Sequence, residues 1–198
     1  MREEQDPYCY PGTDVLKNKL DIRDEEELFE TEKVLSMLRL FELLKKPLEG
    51  NFGFEHLCAI HYYIFQDLYD WAGKIRTVDI GKGNMFCHVQ FIERESLKLF
   101  RDLQVETKSN KIPLARFTER CSYYFSEINA IHPFREGNGR AQREFMRSWA
   151  IHCGFKLEFS KVSRQEMLTA SRESFVCNYE PMNRIFKTIT SELKHKNV

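Results

Sequence analysis

The 198-residue chain has no long apolar run, no closely spaced cysteine pair and no surplus of either charge. Each lack removes a class of function. Without an apolar stretch near eighteen residues there is no candidate membrane span. The first residues, Met-Arg-Glu-Glu, do not follow the basic-then-apolar order of a secretory signal, so the expected location is cytoplasmic. Thirty Lys and Arg cancel thirty Asp and Glu, leaving no global field to draw nucleic acid or an acidic membrane; neither is an expected partner. Cys9, Cys58, Cys87, Cys121, Cys153 and Cys177 are scattered, which fits reduced, mostly buried thiols. Cys58 and His61 have a metal-like spacing, but no second pair completes a site. No internal repeat or low-complexity linker divides the chain, so a single domain over 1–198 is expected.

What the chain does have is aromatic mass and helical periodicity. Sixteen Phe and 13% aromatic residues supply a core. Residues 1–23 carry Pro7, Pro11 and Gly12 with little periodicity and read as an ordered irregular arm. Asp24, followed three positions on by Glu27, reads as the N-cap of a helix running to about Leu44, with Leu28, Leu35, Leu38 and Phe41 or Leu43 inward. A second helix is expected from Phe54 to about Tyr69, buried through Leu57, Ile60, Ile64 and Leu68, with His56 and His61 at its surface or boundary. From Gly73 to His88 the β-branched residues and Gly81, Gly83 and Asn84 predict a short hairpin, the only β element. Helices are expected at about Val89–Thr107, Pro113–Ile131, Ser163–Cys177 and Pro181–Lys194. A further helix follows Arg140 and stops at Gly154. The acidic run Asp24–Glu27 and the basic Lys194-His195-Lys196 sit where helix dipoles favour them. The fold class is all-α with one small hairpin.

One stretch organises the chemistry: His132-Pro-Phe-Arg-Glu-Gly-Asn-Gly-Arg140, with Arg143 one turn later. Gly137 and Gly139 let the backbone turn and approach a ligand closely. Their amides and that of Asn138 would face a chain of phosphates at the start of the next helix. Arg140 and Arg143 are fork-shaped cations suited to phosphate oxygens, or to a salt bridge with Glu144 or another carboxylate. Glu136 offers the hard oxygen that Mg2+ takes alongside phosphates, or serves as an acid at a helix start. His132 can accept a proton near neutral pH, and Phe134 reads as a core anchor. No Gly-Lys-Ser/Thr follows, so this is not a P-loop. Gln142 occupies the third glycine's place in a dinucleotide fingerprint.

The stretch matches, at every specified position from His132 to Arg143, the signature His-x-Phe-x-Asp/Glu-Gly-Asn-Gly-Arg-x-x-Arg, and so resembles the Fic family. The resemblance extends to Gly73–Thr77 and Ile80–Phe86, which look like the family's flap, and to Tyr8–Thr13, like the start of bacterial stand-alone members. It also takes in Asn178-Tyr179-Glu180-Pro181, like a segment near the adenine pocket. It implies a compact helical domain that transfers AMP from ATP to a Ser, Thr or Tyr hydroxyl of a target protein and releases pyrophosphate. By the same resemblance His132 is the general base and Glu136 the Mg2+ ligand. Gly137, Asn138 and Gly139 cradle the α- and β-phosphates, Arg140 and Arg143 hold the remaining phosphate charge, and Asn178 lies by the adenine. Ile80, Gly81, Lys82 and Gly83 belong to the flap, which would add a target segment as a strand.

Two departures matter: Gly81 stands where the family often has Ser, and no full Ser/Thr-x-x-x-Glu-Gly/Asn inhibitory motif is present. Lys45–Gly50 lacks the hydroxyl residue. Thr188–Leu193, read as part of the last helix, carries Glu192 without the final Gly or Asn. A growth-inhibiting toxin restrained by a separate small antitoxin is the expectation. The same pocket also suits another nucleotide or phosphate donor, removal of AMP, or a binding module without turnover.

Overall fold

Asp24 accepts the Glu27 N–H with its side chain, and the acidic first turn of α1 (Glu25–Lys45) follows. The structure, a computed structural model, describes residues 5–108 and 112–193; the basic pair around His195 lies outside them. The buried face of α1 differs from the apolar pattern. Leu28 and Leu43 are inside as expected, but Glu32 and Ser36 share that face, while Leu38 and Phe41 are more than half exposed. The polar pair is buried because a cation from another helix needs it, as described below.

The second helix, α2 (Phe54–Phe65), ends four residues before the expected Tyr69. Leu68, Tyr69 and Ala72 are instead buried in the turns that follow. Contrary to expectation, both its histidines are buried, and His61 is completely so. Next comes the flap. Its strands, β1 (Gly81–Lys82) and β2 (Asn84–Met85), are two residues each and antiparallel, and turn on Gly83 at φ +84°. The rest of 73–88 is irregular, because Arg76 rather than a strand ladder takes up its carbonyls.

A single 3₁₀ turn leads into α3 (Ile92–Thr107), and α4 (Leu114–Ile131) follows. The α4 stripe Phe117, Cys121, Tyr124, Phe125 and Ile128 is buried as its spacing predicts. The helix after the signature, α5 (Asn138–His152), is the centre of the molecule. Ala141, Phe145, Met146, Trp149 and Ala150 are fully buried, and α2 and α4 both pack against it. Each such large side chain contributes about 1.5–3 kcal/mol on burial. Gly154, at φ +86°, ends the segment.

The chain closes with β3 (Phe155–Leu157), α6 (Arg164–Ser174), α7 (Glu180–Ile189) and β4 (Thr190–Glu192). Ser163 and Glu166 form a reciprocal capping box at the start of α6. Here the sequence reading is corrected. Residues 190–192 are not helical but pair antiparallel with 155–157, a second β element beside the flap. Glu192 is exposed on that strand, opposite Phe155 beyond the C-terminal end of α5. All six cysteines are free. Among the described residues no helix is long and apolar enough to cross a membrane.

Candidate active site

The last residue to extend α4 is a histidine in the left-handed conformation. His132 has φ +49° and caps the helix while its N–H still donates to Ile128 O. The exposed carbonyls at this helix end are taken by Arg76, whose fully buried guanidinium donates to His132 O at 2.9 Å and to Ile131 O. The same guanidinium donates to Val78 O and Cys87 O at the two ends of the flap, and the Arg76 N–H donates to Pro133 O. One buried side chain therefore fixes the histidine corner and the flap base together. The sequence hid it, because an arginine in a polar segment reads as surface.

The His132 ring stacks on Phe86 with centroids 3.8 Å apart and planes 13° from parallel. Its Nδ1 lies 3.2 Å from Asn129 O. A carbonyl can only accept, so this bond assigns the proton to Nδ1 and the basic lone pair to Nε2.

Beyond the corner the loop is closed by two clamps. The Asn138 side chain accepts from Phe134 N–H at 2.9 Å and donates to Phe134 O at 2.7 Å, so its amide is a structural tie while its backbone faces the cavity. Phe134 is buried as expected, stacked on His61 at 3.8 Å. His61 Nδ1 accepts the Gly73 N–H at 2.8 Å, so Nε2 carries the proton and donates to Glu136 O at 2.9 Å. Burial holds this imidazole well below its ordinary pKa, at about 4, so it stays neutral. A signal for it existed: His61 falls on the buried face of α2, four residues after Leu57 and three before Ile64.

Gly137, at φ +78°, is required twice, by its backbone and because a Cβ there would come 2.3 Å from the Phe65 ring. Its N–H donates to the Glu136 carboxylate. Among the described residues, the N–H groups of Asn138 and Gly139 have no protein acceptor and stand at the positive end of α5. Arg140 does have partners: Glu32, Ser36 at 3.0 Å and the face of Phe65 at 4.7 Å, with Glu136 3.9 Å away. Glu144 pairs with Arg147, not with Arg140. No carboxylate among the described residues pairs with Arg143, whose pKa is lowered by burial and by the neighbouring Arg140 charge.

His132, Glu136, Gly137, Asn138, Gly139, Arg140 and Arg143 all line one cavity of about 440 Å³. Of its other walls, Phe86 belongs to the flap stretch named from the sequence, while Ser171, Arg172 and Phe175 from α6 were missed. Among the described side chains, the expected Asn178, Ile80, Gly81 and Gly83 are not among its walls, and the Lys82 side chain lies outside the described ones. Asn178 is exposed and donates to Glu173; Gly81 and Gly83 are exposed in the hairpin. A second cavity of about 470 Å³ adjoins the first, sharing Phe86 and Phe175 and adding His88, Tyr123 and Glu127. Glu127 accepts the Tyr179 hydroxyl at 2.6 Å, so the segment beside Asn178 braces this second space. No cluster of three or more His, Cys, Asp or Glu suited to a metal exists among the described residues.

The arrangement can hold a polyphosphate on backbone N–H groups and an arginine, with an imidazole at the edge. Residues 51–150 match the model of the Fic/DOC family. The chain is 37% identical over 191 residues to a probable protein adenylyltransferase Fic of Escherichia coli (strain K12), covering 96% of this chain and 94% of that one. It is 41% identical over 184 residues to a probable protein adenylyltransferase of Sinorhizobium fredii, covering 90% and 92%. Among solved structures, BepC of Bartonella tribocorum with bound AMPPNP superposes with a TM-score of 0.88 at 28% identity, covering 94% of this chain and 97% of that one.

Proposed function

The chain belongs to the Fic/DOC family, and from that premise we propose that it transfers AMP from ATP to a hydroxyl of a target protein, releasing pyrophosphate. One observation carries the reading: His132, the Asn138 and Gly139 N–H groups and Arg143 face the same 440 Å³ cavity, and among the described residues those N–H groups have no protein acceptor and Arg143 no carboxylate partner. The phosphates lie on Asn138 and Gly139 N–H, where each charge-assisted bond contributes about 1.5–3 kcal/mol, and the terminal phosphate reaches Arg143. The base enters the neighbouring cavity between Phe86 and Phe175. Nε2 of His132 takes the proton of the incoming Ser, Thr or Tyr hydroxyl. That oxygen forms a bond to the α-phosphorus, the bond from phosphorus to the β-phosphate bridging oxygen breaks, and pyrophosphate leaves with the electron pair.

Glu136 fits the donor chemistry of Mg2+, since its part-exposed carboxylate stands at the cavity beside the phosphate cradle and magnesium usually takes one or two carboxylates plus substrate phosphates. When bound, the ion would neutralise phosphate charge. The target backbone adds to β1 of the flap as a further strand, placing its hydroxyl toward His132. A growth-inhibiting role with inhibition by a separate small antitoxin, in the cytoplasm, completes the reading. It is supported by Arg143 lacking an internal carboxylate among the described residues and by Glu192 lying beyond the far end of α5. Co-purification of the native protein tests that partner, and recovery without any small companion refutes it.

The activity itself is tested with ATP labelled on the α-phosphate and a cell extract as the source of targets. Labelled protein is expected, gaining the mass of adenylate. His132→Ala should lower the rate about 10²–10⁴-fold without loss of nucleotide binding. A different mass gain would indicate another donor, and equal labelling by His132→Ala would leave only a binding module.

A further inference from the structure

Arg164, Leu168 and Arg172 stand four residues apart on α6, so they share one side of that helix, the two arginines about 12 Å apart along its axis. Leu168 and Arg172 are walls of the phosphate cavity. Arg164 and Leu168 are walls of an adjoining cavity of about 400 Å³ at the first turn of α6. Arg143 lines both cavities. One of its terminal nitrogens lies 3.2 Å from where a Cβ on Gly139 would stand, beside the phosphate cradle. Among the described residues no carboxylate pairs with Arg143, Arg164 or Arg172, and no acidic residue lines the outer cavity. The two acids of α6 are engaged elsewhere: Glu166 is held in the capping box with Ser163, and Glu173 accepts from Asn178.

Three guanidinium groups without an acid, leading outward from the cradle, make a path suited to a small polyanion. We propose that this arginine track receives the leaving pyrophosphate. Arg143 takes it from the Asn138 and Gly139 N–H groups, Arg172 flanks the passage, and Arg164 draws it through the outer cavity toward solvent. The positive end of α6 adds to the pull there. Each step exchanges one set of donors for the next, so the product is not stranded without partners between cradle and water. The cavity under α1, which also adjoins the loop, has the opposite character: Asp14, Glu25, Glu32 and Glu136 outnumber Lys33 and Arg140 among its walls. That side disfavours the same anion. The inference rests on the nucleotide-binding reading above.

The test is calorimetric titration of the full chain with inorganic pyrophosphate and, separately, with a non-hydrolysable ATP analogue, both with Mg2+ present. Wild type should bind both. Arg164 is exposed, so its replacement leaves the core intact. Arg164→Gln should lose about three- to fivefold in pyrophosphate affinity, the scale of a solvent-exposed charge contact. Its affinity for the analogue, whose last phosphate ends at Arg143, should stay near wild type. Arg184→Gln removes the same charge from α7, in a separate groove lined by other residues of α6, and should leave both affinities near wild type. Unchanged pyrophosphate affinity in Arg164→Gln overturns the inference. An equal loss in Arg184→Gln, which marks a bulk charge effect, overturns it too, as does an equal loss for the analogue. Wild type that binds the analogue but not pyrophosphate also overturns it. Failure of wild type to bind the analogue overturns instead the reading on which the inference rests.

Discussion

The signature loop and the flap face the same cavity but are built in opposite ways. The loop from His132 to Arg140 is held from four directions: Arg76 below its corner, His61 behind Phe134 and Glu136, Asn138 across its neck and Glu32 on its far side. The hairpin consists of two strands of two residues each with exposed tips, tied down chiefly at its base by Arg76 and by Asp79, which accepts the Val89 N–H at 2.8 Å and meets His88 at 3.0 Å. Groups that act on developing charge gain from fixed placement, since they cost no reorganisation during the reaction. A surface that receives a variable segment gains from few constraints. Under the proposed function, the loop supplies the chemistry and the flap the choice of target.

The comparison breaks most visibly at Arg76, which belongs to both regions. Arg76→Ala leaves several buried carbonyls without a donor and should cost about 4 kcal/mol or more in chemical denaturation. A cost near 1 kcal/mol would mean that the flap is anchored elsewhere.

The next effect is confined to the loop side. His61 is depressed to about 4 in the folded chain from an ordinary value of 6.5, so the unfolded chain binds the proton first as pH falls. Its contribution is therefore fully present above pH 6.5 and declines progressively as pH drops toward 4, on the order of 3 kcal/mol in all. Urea midpoints taken from pH 7 to pH 4 should fall accordingly. In His61→Gln this component of the slope should vanish, and an unchanged slope would remove the buried imidazole from the account.

The smallest effect is on the flap. Gly83→Val places a β-branched residue at φ +84° and should cost about 1–2 kcal/mol locally. Transfer to a protein target should drop while nucleotide affinity measured by titration stays near wild type. Equal losses in both would show that the hairpin supports the loop after all.

The same contrast explains what could be read in advance. The chemistry was legible because its residues are contiguous from His132 to Arg143 and the helices on either side keep their periodicity. The supports were not, because they lie far away in the chain: Glu32 is 108 residues from its arginine and His61 is 75 from the Glu136 carbonyl. A buried polar side chain is recognised by its partner, and a single sequence does not state the pairing. The α1 pattern misled for the same reason, since Leu38 and Phe41 are apolar yet exposed while Glu32 and Ser36 take the inner face. At the C-terminus, a helical period through Ile189 continued on paper into Glu192, but the β-branched Thr188-Ile189-Thr190 run marks the place where β3 claims the backbone for a ladder.

The left-handed turn at His132 carries a consequence of its own. A helix most often leaves such a position to glycine, because a side chain there crowds the following carbonyl by roughly 1–2 kcal/mol. The protein keeps an imidazole on a corner that its backbone would rather leave bare, and braces that corner with a fully buried cation from beneath. Drift toward greater stability and drift toward inactivity therefore point the same way at this residue, and a copy of the chain released from its task should lose its histidine there before it loses its fold.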